Sequence, residues 1–351
     1  MDISSNFSSR LLLLAILSFA VALLLAPGAV HAQSAGRFRG VNVAADITPQ
    51  DVADLSTWNV NVVRYPLIST ESDDLSTGPA YAAWLETALA KLDARLPVFE
   101  QHRMKVLVNL FSPPGDIPHD ALAKARIFQE PWAREALNAA WQTIATRYAG
   151  NVTIYGYDLL NEPAQRRVLP GGFTDWNTIA TGLIQTIRSI DAERPIVVQS
   201  TFGDVFKLSK LKRFNFTNII YSIHWYYPLS FQHQGLYGRR VGVKYPKGSF
   251  NKNLLKERMQ RIVAFQKKHK VKIFIGEFSA VRWAPGRSAF LYLKDTIDLF
   301  EKFGWSWTYH AFREADPWSL EHGSDPNNHD MSPVETDRLT LLKRYFQKNK
   351  F

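Results

Sequence analysis

The sequence predicts an α/β fold in which eight strands alternate with helices, and three observations lead to this prediction. Eight short runs rich in β-branched and aromatic residues recur along the chain. Most segments between them place apolar residues three or four positions apart, the spacing of an amphipathic helix. The runs at 106–108 and 273–275 are apolar on both faces, as in a parallel sheet that is buried on both sides. Eight such units in 351 residues favour one closed (β/α)8 barrel, also called a TIM barrel.

The individual units differ in how well the sequence supports them. Apolar residues at Leu85, Leu89 and Leu92 predict a helix after the second strand. The fifth connection, residues 202–218, is short and irregular and is the weakest unit. No linker follows residue 32, so residues 33–351 are expected to form a single domain, ending in a last helix beyond strand eight. The predicted strands are residues 38–45, 60–67, 105–111, 153–160, 195–201, 219–226, 271–278 and 304–312.

Composition excludes several classes of protein. With 46% hydrophobic and 13% aromatic residues, the chain is neither disordered nor of low complexity. The absence of cysteine excludes disulfides, thiolate metal sites and cysteine nucleophiles. The formal charge of +10 would favour anionic surfaces. Its densest short run is Lys267, Lys268, Lys270 and Lys272 at the end of a predicted helix, where solvated cations are common.

The N-terminal segment predicts export. Residues 11–26 contain only one polar residue, Ser18; Arg10 precedes them, and small residues on either side of His31 resemble a cleavage site. We therefore expect residues 1–32 to be a signal peptide cleaved after Ala32, and the mature protein to be periplasmic or extracellular. The alternative is an uncleaved anchor at residues 11–30, which would give the protein its only membrane contact.

Polar residues end several of the predicted strands. In a barrel of this type the chemistry lies at the carboxyl ends of the strands, so these side chains should share one face. Two of them are carboxylates, Glu162 on strand four and Glu277 on strand seven. A pair of carboxylic acids on either side of a glycosidic bond can carry out its acid/base hydrolysis. The other residues at strand ends are Arg64, Asn161, His224 and Tyr226.

Five segments carry a resemblance to a known family, glycoside hydrolase family 5, the cellulase-type retaining β-glycosidases. They are residues 38–42, 61–66, 159–163, 222–226 and 275–278, and their order spans nearly all of the mature chain. The resemblance implies that Glu162 is the acid/base and Glu277 the nucleophile of a double displacement. It also implies that Asn161 binds the sugar 2-hydroxyl, that Arg64 and Tyr226 hold the nucleophile ionised, and that His224 lies near the acid/base.

The sequence departs from the family pattern at two strands. At strand three, Phe111 stands where the family usually has a histidine before a Pro-Gly turn, which should change or weaken a sugar contact. At strand eight, the family's sugar-platform tryptophan aligns with either Trp307 or His310. Side chains alternate along a strand, so Trp305 and Trp307 share one face, and His310 lies on the other. The sequence leaves this choice open.

Other aromatic residues are candidates for sugar contacts. Trp225 and Trp283 lie beside the two carboxylate-bearing strands, and we interpret both as sugar platforms, with core packing as the alternative. Residues 231–235 resemble a loop of some family members and are expected either to line the cleft or to form an ordinary polar loop.

We expect no cofactor and no metal site, because no phosphate-binding loop and no histidine–carboxylate pair at ligand spacing is evident. The expected partner is a polysaccharide or oligosaccharide, and the expected state is a monomer that binds no nucleic acid. The identity of the β-glycan and the choice between internal and terminal cleavage stay open. The alternatives are a non-catalytic polysaccharide-binding barrel and, on the charge alone, a basic nucleic-acid-binding protein.

Overall fold

The structure, a computed structural model, describes residues 36–116, 125–165 and 173–350. Its eight strands are all parallel, follow one another in chain order and close into a barrel through pairing of β8 with β1. The (β/α)8 prediction is therefore confirmed. The strands are β1 Arg39–Val43, β2 Val62–Leu67, β3 Lys105–Leu110, β4 Ile154–Asp158, β5 Ile196–Asp204, β6 Ile219–Trp225, β7 Lys272–Phe278 and β8 Ser306–Phe312.

The helices surround the barrel. The weak fifth connection contains a 3-10 helix, Val205–Lys210, whose first turn is capped by the Asp204 carboxylate. A second 3-10 helix, Asp316–Trp318, follows β8. The α-helices are α1 Pro49–Thr57, α2 Gly78–Asp93, α3 Leu96–Gln101, α4 Arg126–Gln129, α5 Pro131–Tyr148, α6 Trp176–Arg188, α7 Leu229–Gln232, α8 Lys252–His269, α9 Ser288–Phe303 and α10 Asp337–Phe346.

The barrel interior consists of an apolar layer with a polar layer above it. Five inward side chains pack together in the lower half: Val62, Leu107, Val197, Ile220 and Phe274. Because side chains alternate along a strand, the next inward positions lie two residues further on, and these are polar. They include Arg64 after Val62, Asn109 after Leu107 and Gln199 after Val197. The apolar layer thus lies directly below a layer of polar and charged side chains at the carboxyl ends of the strands.

Strand β7 departs from this alternation at Gly276. Its register with β6 shifts by one residue between the pairs Ile223–Ile275 and His224–Glu277. Strict alternation would place Glu277 on the outer face with Ile275, and the shift turns it toward the interior instead. The Gly276 carbonyl accepts hydrogen bonds from Asn42 Nδ2 at 3.0 Å and Thr308 Oγ1 at 2.6 Å, which fix the irregularity.

Residues near the two ends of the described chain meet where the barrel closes. Arg39 on β1 donates two hydrogen bonds of 2.8 Å to the Glu301 carboxylate on α9. Asn349, after α10, donates to the backbone carbonyl of Arg39 at 3.0 Å. Among the described residues, no helix is both long and apolar enough to cross a bilayer. The predicted signal peptide, residues 1–32, lies outside the described residues.

Candidate active site

Glu277, near the end of β7, is the more deeply buried of the two predicted carboxylates. Its side chain is 9% exposed. Arg64 donates to Oε1 at 2.8 Å, and the Tyr226 hydroxyl donates to Oε2 at 2.8 Å. Both oxygens therefore accept from strong donors, which favours the ionised form.

Arg64 connects Glu277 with the residues around it. Its guanidinium is almost completely buried and donates to four side chains. Charges buried this deeply are stable only when they are paired and hydrogen-bonded, and here every acceptor lies at a strand end. The acceptors are Glu277 at 2.8 Å, Asp158 at 2.8 Å, Asn161 at 2.8 Å and Asn42 at 3.0 Å.

The surroundings of Glu277 determine its pKa. Burial by itself raises the pKa, but the electrostatic interactions with His224, His310 and Arg64, together with the hydrogen bond from the Tyr226 hydroxyl, outweigh it and lower the pKa to about 2. This is consistent with the role that the family resemblance implies for Arg64 and Tyr226, which is to hold the nucleophile ionised. The same carboxylate, together with burial, raises the pKa of Tyr226, so its hydroxyl stays a donor.

His224, on β6, lies between the two carboxylates. Its Nδ1 is 2.7 Å from Oε1 of Glu162 and 3.5 Å from Oε2 of Glu277. Two glycines make room for the ring: a Cβ on Gly276 would lie 3.0 Å from Nε2, and one on Gly203, whose φ is +61°, would lie 2.8 Å from Cγ. The backbones of β5 and β7 thus hold the imidazole from both sides.

Glu162 follows β4 and is far more accessible. Its side chain is 38% exposed, and its Oε1 lies within hydrogen-bond distance of His224 Nδ1. Its backbone φ is +44°, in the left-handed region, which costs energy for a residue other than glycine and is common at functional sites. Its backbone N–H donates to Gln199 Oε1 at 3.0 Å, which stabilises this conformation.

Asn161 lies beside Glu162 at the same strand end. Its amide oxygen accepts from Arg64 at 2.8 Å, so the amide nitrogen is the group left to face the cleft that Asn161 lines.

Sequence reasoning missed two buried residues beneath Asn161, Asp158 and Gln199. Asp158 accepts from Gln199 at 2.8 and 2.9 Å and from Arg64, which connects the two carboxylate-bearing strands through buried polar side chains. Inward polar positions on strands of known register could have identified both residues.

The carboxylates open into one cleft of about 760 Å³. Arg64 lies beneath its floor, and Asn161, Glu162, His224, Tyr226, Glu277 and His310 line it. Of the tract 231–235, His233 lines the cleft, whereas Phe231, Gln232 and Gln234 are buried. The aromatic residues of the wall are Phe111, Phe202, Phe206, Tyr227, Tyr237 and Trp318.

Two of the predicted tryptophan platforms are wrong. Trp225 and Trp307 are completely buried on the outer faces of their strands. Trp307 donates from Nε1 to Glu301 at 3.1 Å and packs against Phe346 of the last helix. Trp283 is partly buried, donates to the Gln234 carbonyl at 2.8 Å, and is not among the described residues that line the cleft. These three side chains hold the barrel and the loop after β6 together.

On β8 the structure answers the question that alternation left open. His310 faces the cleft, with its ring centroid 5.2 Å from that of Trp318 and 6.4 Å from that of Tyr226. Its Nε2 lies 3.8 Å from the Glu314 carboxylate, whose pKa is raised by burial. Phe111, which directly follows β3, also lines the cleft. The cleft therefore combines a phenyl ring just after β3 with an imidazole on β8.

Glu162, His224 and Glu277 also have the geometry of a metal-binding group, since one ligand atom from each lies within 4.8 Å of the others. Their contacts favour a different interpretation. Both oxygens of Glu277 accept from Arg64 and Tyr226, and a guanidinium so close repels a cation. The arrangement suits proton transfer and nucleophilic attack better than metal binding.

The comparisons with known proteins agree with this geometry. The family model "Cellulase (glycosyl hydrolase family 5)" matches residues 31–315. Endoglucanase C of Acetivibrio thermocellus is 23% identical over 332 residues, covering 85% of this chain and 91% of the relative. Cellodextrinase A of Ruminococcus flavefaciens is 20% identical over 268 residues, covering 74% of this chain and 76% of the relative.

Solved structures show the same fold. Cel5A of Thermotoga maritima in complex with cellobiose aligns with a TM-score of 0.70 and 24% identity, over 87% of this chain and 97% of that one. Cellulose synthase subunit Z of Clostridioides difficile aligns with a TM-score of 0.69 and 22% identity, over 87% of this chain and 99% of that one. With the family match over most of its length, this chain belongs to glycosyl hydrolase family 5, the cellulase family, and it is a glycoside hydrolase.

Proposed function

We propose that the protein is an exported β-glucanase that hydrolyses internal bonds of a β-linked glucan with retention of configuration. The observation that carries this proposal is the carboxylate pair. An oxygen of Glu162 and one of Glu277 lie within 4.8 Å of each other, which suits the spacing of retaining enzymes, about 5 Å, better than the wider spacing of inverting enzymes, about 6.5–9.5 Å.

In the first step Glu277 attacks the anomeric carbon while Glu162 gives its proton to the glycosidic oxygen. The bond from carbon to the leaving oxygen breaks, and an ester between the sugar and Glu277 forms. A pKa of about 2 keeps Glu277 ionised and ready to attack across the working pH range. The Asn161 amide donates to the 2-hydroxyl, a contact that strengthens as positive charge develops on the ring.

In the second step a water molecule replaces the departed sugar. Glu162, now a carboxylate, takes a proton from this water, whose oxygen attacks the anomeric carbon and releases Glu277. The solvent exposure of Glu162 suits this role, because the group must accept and donate protons in each cycle. Two inversions give net retention. His224, within hydrogen-bond distance of Glu162, orients the carboxyl in both steps.

The relatives support a β-1,4-linked glucan as the backbone. They include an endoglucanase and a cellodextrinase, and Thermotoga maritima Cel5A has been solved in complex with cellobiose and with mannotriose. The open wall of aromatic residues in this chain suits the apolar faces of successive pyranose rings.

The test is hydrolysis by residues 33–351 of soluble cellulose derivatives, mixed-linkage glucan, β-1,3-glucan, mannan, xyloglucan and cello-oligosaccharides, beside Glu162→Gln and Glu277→Gln. Proton NMR of the first product should show the β anomer before mutarotation. An α anomer would disprove double displacement. Binding of one polymer without turnover on the whole panel would support a non-catalytic binding barrel instead.

Export is tested separately. In a bacterial host, the full-length chain should appear outside the cytoplasm, and the first residue of the mature protein should be Gln33. An intact N-terminus in the membrane fraction would support the uncleaved anchor.

A further inference from the structure

The net charge comes from one stretch of the chain. Residues 205–256 contain ten lysines and arginines and no aspartate or glutamate, so this stretch alone accounts for the formal charge of +10. The positive charge is therefore concentrated, although short runs of lysine do not show it. The stretch covers the 3-10 helix after β5, strand β6, the loop after β6 and the start of α8.

Four of these residues lie in the loop after β6, which is at the catalytic end of the barrel. We call Arg239, Arg240, Lys244 and Lys247 the loop cations; all four are exposed. Among the described residues, no ion pair within 4.0 Å involves them, whereas Lys252 is paired with Asp295 and Asp298 on α9. Lys212 and Arg213 lead into β6 at the opposite end of the barrel and are not part of this surface.

Two further cations, Lys207 and Arg261, lie against aromatic rings that line the cleft. The Lys207 ammonium lies 3.8 Å from the centroid of the Phe202 ring. The Arg261 guanidinium lies 4.9 Å from that of Phe206, a ring that is 42% exposed. Phe202 and Phe206 line the cleft, so positive charge directly backs the surface on which a sugar ring would stack.

The charge of one loop cation, Arg239, also affects a residue that lines the cleft. Burial lowers the pKa of His233 to about 4, and the positive charge of Arg239 adds to the effect. His233 lines the cleft, as does Tyr237, which is 77% exposed and only two residues from Arg239. The acid on this wall is Asp204, and its carboxylate already caps the 3-10 helix.

We propose that this wall, formed by the segments after β5 and β6, binds an anionic β-glycan. The glycan backbone would stack on the aromatic residues, and carboxylate or phosphate substituents would contact the loop cations. Cleavage of this polymer depends on the function proposed above. Because Glu162 protonates the leaving oxygen in the proposed mechanism and follows the neighbouring strand β4, the charged sugars occupy the leaving-group side of the cleft.

A polysaccharide fits this surface better than a nucleic acid or a lipid headgroup does. Aromatic residues interleaved with cations also occur in proteins that bind single-stranded nucleic acid. Here, however, the surface is a wall of the catalytic cleft itself, continuous with Glu162 and His224. A polymer lying on the wall enters the active site, which is what a polysaccharide-cleaving enzyme requires of its substrate.

The experiment compares two soluble polymers with the same β-1,4-glucan backbone, anionic carboxymethylcellulose and neutral hydroxyethylcellulose. The loop-cation variant combines R239S, R240S, K244S and K247S. The matched control removes four charges at the opposite barrel end through K267Q, K268Q, K270N and K272Q. We expect the ratio of the two KM values, carboxymethylcellulose over hydroxyethylcellulose, to rise about tenfold in the loop-cation variant and to stay at the wild-type value in the control.

Salt and further ligands sharpen the test. Raising the ionic strength should increase the wild-type KM for carboxymethylcellulose and remove most of the difference between wild type and variant. Phosphorylated cellulose, assayed in parallel, distinguishes phosphate from carboxylate recognition. Equal changes in the KM ratio for variant and control would overturn the proposal. A variant that loses binding to a single-stranded oligonucleotide or to anionic vesicles, with its KM ratio unchanged, would also overturn it.

Binding of an anionic glycan can be tested even if the proposed catalytic function is wrong. If the wild type hydrolyses neither polymer, catalysis on β-glucan is disproved. Retardation of Glu162→Gln in gels containing either polymer then measures binding alone. Preferential retardation by carboxymethylcellulose that disappears in the loop-cation variant still supports an anion-binding wall, and equal retardation by both polymers rejects it.

Discussion

The two carboxylate-bearing strand ends face each other across one cleft, yet they are built in opposite ways. Glu277 on β7 is nearly buried, accepts hydrogen bonds on both oxygens and has a pKa of about 2. Glu162 after β4 is 38% exposed, has a strained backbone and meets His224 at hydrogen-bond distance. One group is fixed as an anion, and the other is left accessible to protons.

This difference corresponds to the two roles in the proposed double displacement. A nucleophile must be ionised, aimed and shielded from water, and buried donors provide all three conditions. An acid/base must change protonation twice in each cycle, and tight pairing with an arginine would prevent that. The same barrel provides both environments because Arg64 reaches Glu277, whereas the segment that carries Glu162 is held through its backbone by Gln199.

The largest expected effect comes from removing either carboxylate. Glu277→Ala and Glu162→Ala should each lower kcat on β-glucan by about 10^4-fold. Azide distinguishes the roles: it should restore turnover of an activated aryl glycoside in both, giving the α-glycosyl azide with Glu277→Ala and the β-glycosyl azide with Glu162→Ala. The same anomer from both variants would mean that the two roles are wrongly assigned.

The next effect tests what keeps Glu277 ionised. Arg64→Met removes a positive charge while burial remains, so the pKa of Glu277 should rise. Activity that persists in the wild type down to about pH 3 should then be lost at a higher pH, and kcat should fall by about 100-fold because Asp158 and Asn161 lose their donor as well. The measurement is kcat/KM from pH 3 to 9, with Arg64→Lys as the matched variant that keeps the charge. If the acidic limb of the kcat/KM profile does not move in Arg64→Met, the arginine does not control the ionisation of Glu277.

A smaller effect tests the room around His224. In Gly276→Ala the new Cβ would lie 3.0 Å from His224 Nε2 and 3.0 Å from Ser222 Oγ, so the imidazole must move from its present position beside Glu162. We expect kcat to fall about tenfold, since one hydrogen bond to a charged group is weakened. Gly182→Ala in α6 is the control, because its Cβ would meet no atom within 4 Å; it should raise the free energy of unfolding by about 0.5–1 kcal/mol and leave kcat as in the wild type. Equal kcat values for both variants would contradict a positional role of Gly276.

The smallest effect separates the cleft face of β8 from its buried face. His310→Ala should raise the pKa of Glu277, because the interaction with His310 helps to lower it, and should increase KM, because His310 lines the cleft. Trp307→Phe should leave KM and the pH profile unchanged and lower the free energy of unfolding by about 1–3 kcal/mol through imperfect packing and loss of the bond to Glu301. Thermal or urea unfolding beside the kinetic assay distinguishes the two. A KM change in Trp307→Phe would place that residue in the binding site after all.

The sequence was sufficient for the barrel and for the positions of the two carboxylates. Short runs of β-branched and aromatic residues between amphipathic helices define strands locally, and the carboxyl ends of parallel strands meet at one edge. It was not sufficient for orientation. The alternation along β8 separates Trp307 from His310, but only the closed barrel decides which face is inside. The shift at Gly276, which turns Glu277 inward, depends on pairing with β6 and leaves no local pattern.

The buried partners were also beyond reach of the sequence alone. Asp158 is the last residue of β4 and Gln199 lies inside β5, and neither belongs to a motif that stands out in the sequence. Their importance comes from meeting Arg64 and the Glu162 backbone in three dimensions. Charge presented a related difficulty, because its concentration extends over residues 205–256 and is diluted within any short window.

The closure of the barrel has a consequence for how the protein folds. Arg39 on β1 is hydrogen-bonded to Asn349, a partner 310 residues away in the chain, and β1 also pairs with β8. Contacts between residues so far apart in the chain form slowly, because the intervening chain loses conformational entropy before the contacts can stabilise the fold. During synthesis, a barrel that lacks β8 and α10 exposes the unpaired edges of β1 and β7, so folding can finish only after α10 has been made. The late completion keeps the nascent chain available to chaperones that bind open sheet edges.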